Sequence, residues 1–124
     1  FITPICVACD YWEYKCLVGQ ELLEHDTGWN TFNGKTISYL NGWLVACPKD
    51  VWEDIGGFDE RFGLHDYEDI DLSFSATNKG YKLVQIDGAK LQHLGAQTAS
   101  YGDERMAITL QNKDKFVKKW EGKL

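Results

Sequence analysis

The spacing of apolar positions changes several times along this 124-residue chain, and each change marks an element. Ile2 to Ala8 is a continuous apolar run of the kind that suits a buried strand. From Asp10 to Thr36 the pattern weakens. Gly19, Asp26, Thr27, Gly28, Asn30, Asn33, Gly34 and Lys35 are mixed there with Tyr11, Trp12, Tyr14, Trp29 and Phe32. A loop of that length inside a compact domain is more often a binding segment than a linker, and its aromatics favour binding. A second strand-like run covers Thr36 to Cys47 through Ile37, Tyr39, Leu40, Trp43, Leu44 and Val45. Asn41-Gly42 interrupts it, either as a tight hairpin turn or where the backbone passes close to a ligand.

Pro48 suits the first turn of a short helix to about Ile55, and Gly56-Gly57 supply a left-handed stop. After a loop from Phe58 to Asp66, the spacing predicts a helix from Tyr67 or Glu68 to Lys79, closed by Gly80, with Ile70, Phe74 and Thr77 facing a sheet. Tyr81 to Ile86 and Ala89 to Leu94 read as strands joined by an Asp87-Gly88 turn. A closing helix spans about Asp103 to Glu121. Its Phe116, Val117 and Trp120 alternate with Lys113, Lys115, Lys118 and Lys119, which form a solvated face. The expectation is a single mixed α/β unit over residues 1–124, without internal repeats.

Composition narrows the function classes. With 44% hydrophobic and 14% aromatic residues the chain reads as ordered and large enough for a real core. It starts at Phe1 on what reads as a strand already under way, so the expectation is a piece of a longer polypeptide. No apolar run approaches the ~20 residues of a membrane span, and no basic-then-apolar leader is seen, so the chain reads as soluble. A net charge of -6 argues against a nucleic-acid partner. Cys6 and Cys9 have the C-x-x-C spacing of a zinc or redox site, but no second close ligand pair accompanies them; Cys16 and His25 are too loosely placed. Cys6 and Cys47 read instead as small buried residues in a reducing compartment.

The chemistry concentrates after Gly56-Gly57-Phe58-Asp59-Glu60-Arg61-Phe62, where Glu68, Asp69 and Asp71 crowd the start of a helix. Helix-dipole stabilisation of such carboxylates is worth several tenths of a kcal/mol each and explains them without any reaction. The alternative is a carboxylate base beside a metal-assisted transfer site, with His93 returning to the same edge. His93 also reads as a strand-end histidine making one hydrogen bond.

These residues together resemble the second half of a family 2 glycosyltransferase of the GT-A type. The resemblance is carried by Asn41-Gly42-Trp43, Val51 to Phe62, Tyr67-Glu68-Asp69-Ile70-Asp71-Leu72, Gly80-Tyr81-Lys82-Leu83, His93, and Asn112, Phe116, Lys119 and Trp120 in the closing helix. It runs from about Thr36 to the C-terminus. It implies a partial GT-A fold, a mixed sheet with flanking helices that lacks the N-terminal nucleotide-binding half. It further implies an enzyme that moves a sugar from a nucleotide-sugar donor to an acceptor hydroxyl with inversion, with Asp69 as general base and Glu68 orienting the acceptor. Asn41, Gly42, Trp43 and Trp29 would contact the acceptor, Phe32 could stack on a sugar face, and His93 would ligate a Mn or Mg ion in the complete enzyme. Asp71 would cap the helix or hold the loop.

One departure is Ser75, where members usually carry Arg; another is that no Asp-x-Asp motif precedes the first strand. This chain by itself is therefore expected to be inactive. Further expectations are a cytoplasmic protein, free or at the cytoplasmic face of a membrane, and self-association through an uncovered sheet edge. The competing reading is a non-catalytic module that holds a glycan or protein partner through the Asp10 to Thr36 loop and Trp43.

Overall fold

In a computed structural model, the described residues are 14–15, 20–21, 31–32, 34–37, 39–40, 42, 45–63, 65–85, 90–91 and 102–124. In chain order they form β1 (Tyr14–Lys15), β2 (Gln20–Glu21), β3 (Thr31–Phe32), β4 (Lys35–Thr36), α1 (Lys49–Ile55), a 3-10 turn (Glu60–Phe62), α2 (Glu68–Asn78), β5 (Val84–Gln85), β6 (Lys90–Leu91) and α3 (Gly102–Lys119).

The three helices form where the spacing predicts them. Pro48 sits at the N-cap of α1, one position outside the helix, where its missing N–H costs nothing. The N–H groups of Gly56 and Gly57 both donate to the Trp52 carbonyl at 3.1 Å and close the helix. Gly57 has φ of 65°, and a Cβ there would lie 2.9 Å from the Trp52 ring, so this position has both a backbone and a packing reason to be glycine. Phe58 then meets Trp52 edge-on at 5.3 Å.

The expected mixed sheet with flanking helices is overturned. Among the described residues helix dominates, and strand occurs only as two-residue segments in three separate antiparallel pairs: β1 with β6, β2 with β5, and β3 with β4. The run from Thr36 to Cys47 shows the physical reason. Beyond Thr36 the Leu40 N–H donates to Ser73 Oγ at 3.0 Å and the Gly42 N–H to Asp69 Oδ2 at 3.1 Å. These donors are satisfied by α2 side chains and not by a neighbouring strand. The runs at Tyr81–Ile86 and Ala89–Leu94 likewise contract to β5 and β6. Self-association through a sheet edge loses its premise, because these residues build no such sheet. The first predicted strand, Ile2 to Ala8, and the Asp87-Gly88 turn lie outside the described residues.

Helix α2 is the centre of the packing, with every residue from Ile70 to Ala76 buried. On one side Leu72 and Ala76 join Leu40, Val51, Ile55 and Leu83. On the other, Ile70 and Phe74 join Phe32, Ile37, Phe62, Tyr67 and Phe116. Phe74 contacts Phe116 at 5.8 Å and Trp120 at 4.9 Å, both edge-on, so the face predicted to meet a sheet meets α3. Thr77, placed on that face by its spacing, is exposed. Phe32, expected to offer its ring to a sugar, is 3% exposed and packs 4.9 Å from Phe116. The segment read as one long loop therefore contributes a core anchor and the short strands β1 to β4. Cys47 is a free, half-buried thiol against the first cluster; Cys6, Cys9 and Cys16 lie outside the described residues. Among the described residues no helix is long and apolar enough to cross a membrane.

Candidate functional site

The start of α2 opens into a cleft of about 470 Å³ lined by Tyr39, Asp66, Tyr67, Asp69, Ile70, Gly102, Arg105, Met106 and Thr109. Two elements supply it. The loop into α2 brings Asp66 and Tyr67, and the first two turns of α3 bring Arg105 and Thr109. Arg105 donates through Nε and Nη2 to the two carboxylate oxygens of Asp66, at 3.1 and 2.7 Å, and Thr109 Oγ1 donates to Asp66 Oδ2 at 2.5 Å. Burial pushes the Asp66 carboxyl up, but these hydrogen bonds and the Arg105 charge outweigh it and hold Asp66 below its ordinary value. Asp66 is thus an ionised wall of the cleft.

Asp69 is held differently. Its Oδ1 accepts the Ile70 N–H at 2.8 Å and its Oδ2 the Gly42 N–H at 3.1 Å, and no cation among the described residues bonds to it. Burial, and then the neighbouring Glu68 charge, raise its carboxyl from 3.8 to about 7, with a smaller contribution from Asp66; the two N–H groups pull against this. Glu68 is also raised, chiefly by burial, and its Oε2 is buried without a hydrogen-bond partner among the described residues. Two adjacent carboxyls in one desolvated corner cannot both ionise cheaply, and a base that titrates near neutrality is the consequence. Burial raises the hydroxyls of Tyr39 and Tyr67 as well, Tyr67 to about 12, so both stay protonated.

Gly42 sets the distance between the two segments. A Cβ at this position would stand 3.0 Å from the Asp69 Cβ and 3.6 Å from Glu68 Oε1. The close approach that Asn41-Gly42 signals in the sequence is therefore an approach to the Asp69 side chain. Gly42→Ala is expected to displace Asp69 from its amide donors and shift the titration midpoint of the Asp69 carboxyl while the melting temperature moves little; an unshifted midpoint by ¹³C NMR would show that the contact does not hold Asp69 in place.

The structure brings Glu68, Asp69 and Gly42 together. Asn41, Trp43, Trp29 and His93 lie outside the described residues. Among the described residues no group of three or more His, Cys, Asp or Glu side chains could hold a metal. Asp71 is no cap: it is 1% exposed, and its two oxygens accept Lys119 Nζ and Trp120 Nε1, each at 2.7 Å. Sequence reasoning missed Tyr39, Asp66, Arg105 and Thr109. The i, i+4 spacing of Arg105 and Thr109 was a usable signal, since it places both on one face of the closing helix.

Comparison of the chain with protein-family models, with curated proteins and with solved structures finds no match.

Proposed function

We propose that this chain forms the acceptor side of an inverting glycosyltransferase, with Asp69 as the general base that removes the proton from an acceptor hydroxyl. The observation that carries the reading is the state of Asp69. It stands on a cleft of about 470 Å³ and titrates near 7, so it takes a proton readily at neutral pH yet is ionised often enough to act. The motif resemblance supplies the reaction class. By the motif resemblance, Glu68, half-buried beside Asp69, would orient the acceptor. The protonated hydroxyls of Tyr39 and Tyr67 and the apolar Ile70 and Met106 suit a sugar, which offers both hydroxyls and C–H faces.

In this reading the nucleotide-sugar donor binds to a preceding half of the enzyme. By the resemblance, His93 would be one ligand of a Mn or Mg ion, which would supply the charge that neutralises the leaving diphosphate. The described residues gather no ligand set of their own, and none of their roles requires the ion. The acceptor oxygen attacks the anomeric carbon as Asp69 takes its proton, the bond to the diphosphate breaks, and the configuration inverts.

The test is expression of the chain with its natural upstream sequence and assay of release of free nucleotide from a panel of nucleotide sugars with simple glycoside acceptors. Metal-dependent turnover that requires the acceptor is expected. Absence of turnover across the panel, in a protein that binds glycans all the same, would favour the non-catalytic module.

A further inference from the structure

Behind the cleft a single α3 side chain meets three backbone carbonyls. Asn112 is 1% exposed, and its Nδ2 lies 2.7 Å from the carbonyl oxygen of Phe62 and 2.9 Å from those of His65 and Asp66. An amide nitrogen carries two protons, so one of them is shared. The Asn112 Oδ1 accepts Lys115 Nζ at 3.1 Å, and that ammonium also donates to the Arg61 carbonyl at 2.8 Å. Among the described residues, no strand and no α2 N–H takes up these carbonyls. A buried carbonyl left without a donor costs about 1–3 kcal/mol.

The chain has a further reason to need this clamp. Asp66, whose carbonyl is the last one clamped, and Tyr67 after it have φ of 67° and 77°. The left-handed region costs roughly 1–2 kcal/mol for each non-glycine residue and persists only where the surroundings enforce it. Here they do. Tyr67 is buried 6.1 Å from the Phe32 ring and 5.8 Å from Phe116, while Asp66 is gripped by Arg105 and Thr109. The turn delivers the backbone to Glu68 and Asp69 at the first positions of α2.

We infer that Asn112 is a positioning residue for Asp69: by fixing the carbonyls of Phe62, His65 and Asp66 it sets the left-handed turn, and with it the depth at which the Asp69 carboxyl sits against Gly42. The charged and titratable groups around that carboxyl are Glu68 beside it, Asp66 and Tyr39 across the cleft, and Arg105 and His65, which act on Asp66 and Glu68. All but Tyr39 and Arg105 belong to the clamped turn or follow it, so loosening the turn moves them together.

For activity the inference rests on the proposed base role of Asp69; for geometry it stands alone, and the experiment separates the two. In the full chain labelled with ¹³C, the Asp69 carboxyl is titrated by NMR in the parent, Asn112→Ala and Asn112→Ser, the last keeping one donor. The midpoint is expected to fall by at least one pH unit, about tenfold in the ionisation equilibrium, in Asn112→Ala and by less in Asn112→Ser. An unchanged midpoint in an Asn112→Ala chain that still melts cooperatively overturns the inference. Where Asn112→Ala unfolds the chain, Asn112→Ser and the unaltered protein decide. The Asn112 side-chain amide protons are expected to resist solvent exchange and to shift with the Asp69 midpoint; exchange at the rate of a free amide overturns the inference. With the upstream half present, Asn112→Ser should lower kcat more than it raises KM and move the acid limb of the pH profile by the same amount as the NMR midpoint. If that enzyme turns over no nucleotide sugar, the proposed reaction fails while the titration result stands.

Discussion

Asp69→Asn, made in the chain with its natural upstream sequence, is expected on the proposed base role to lower kcat by about 10²- to 10⁴-fold with little change in KM, the range that a positioned base contributes. The amide keeps an oxygen for one of the two N–H groups that hold the carboxylate at 2.8 and 3.1 Å and turns an NH2 toward the other, so the proton acceptor is removed at the cost of one hydrogen bond. In the parent, kcat should rise with pH through a midpoint near the 7 of the Asp69 carboxyl, because only the ionised form can take the acceptor proton. That limb should vanish in the variant. Full activity, or an unshifted limb in the variant, would remove Asp69 from the chemistry.

The same substitution should change the stability of the fold in a pH-dependent way. The Asp69 carboxyl keeps its proton to about 7 when folded and gives it up near 3.8 in an ordinary environment. Between those values the folded chain binds more protons than the unfolded one, so the Asp69 contribution to stability falls as pH rises. The cost of burying this charge is absent below the lower value and fully felt above the upper one. The effect of Asp69→Asn on the denaturant midpoint should therefore be clearly more favourable at about pH 8 than at about pH 5, where only part of the cost is yet felt. An effect of the same size at both would mean that charge burial is not its cause.

The helices were legible because their signals are local. Pro48, Gly56-Gly57 and Gly80 punctuate α1 and α2, and the spacing of Phe116 and Trp120 marks α3. The sheet was misread for a reason equally physical. Apolar runs such as Ile37 to Val45 read alike whether their backbone donors meet a neighbouring strand or, as with Leu40 and Gly42, the side chains of Ser73 and Asp69. The motif Gly56 to Phe62 was visible as a pattern, but its role was not. Asp59 accepts the Arg61 N–H at 3.1 Å and Lys119 Nζ at 2.9 Å, which ties the motif to a helix sixty positions on. Of the site, Asp69, Glu68 and Gly42 could be named in advance. Asn112 was legible only as part of the motif resemblance; its side chain is polar yet 1% exposed, so a reading that sends polar residues outward cannot find its hold on the turn.

Asp71→Ala should be among the most damaging single changes to stability. As a first-turn carboxylate helping the α2 dipole, Asp71 would be worth only several tenths of a kcal/mol. In the structure it is instead 1% exposed and joins α2 to α3 by accepting Lys119 Nζ and Trp120 Nε1, both at 2.7 Å. Removing one member of such a pair strands its partners, at about 3–5 kcal/mol where the remaining charge has no other contact. Lys119 retains Asp59 at 2.9 Å, so the lower end applies, roughly 3 kcal/mol, a fall in melting temperature of about 10 °C for a domain of this size. The double variant Asp71→Ala with Lys119→Met should be less damaged than the sum of the two single changes, since no ammonium is then left beside an empty site. Asp59→Ala offers the contrast, because its strongest partner, Arg61, has a side chain 72% exposed and loses little in water. Chemical denaturation of the four variants decides the matter: an Asp71→Ala loss below about 1 kcal/mol, no larger than that of Asp59→Ala, would return Asp71 to the role of a helix cap.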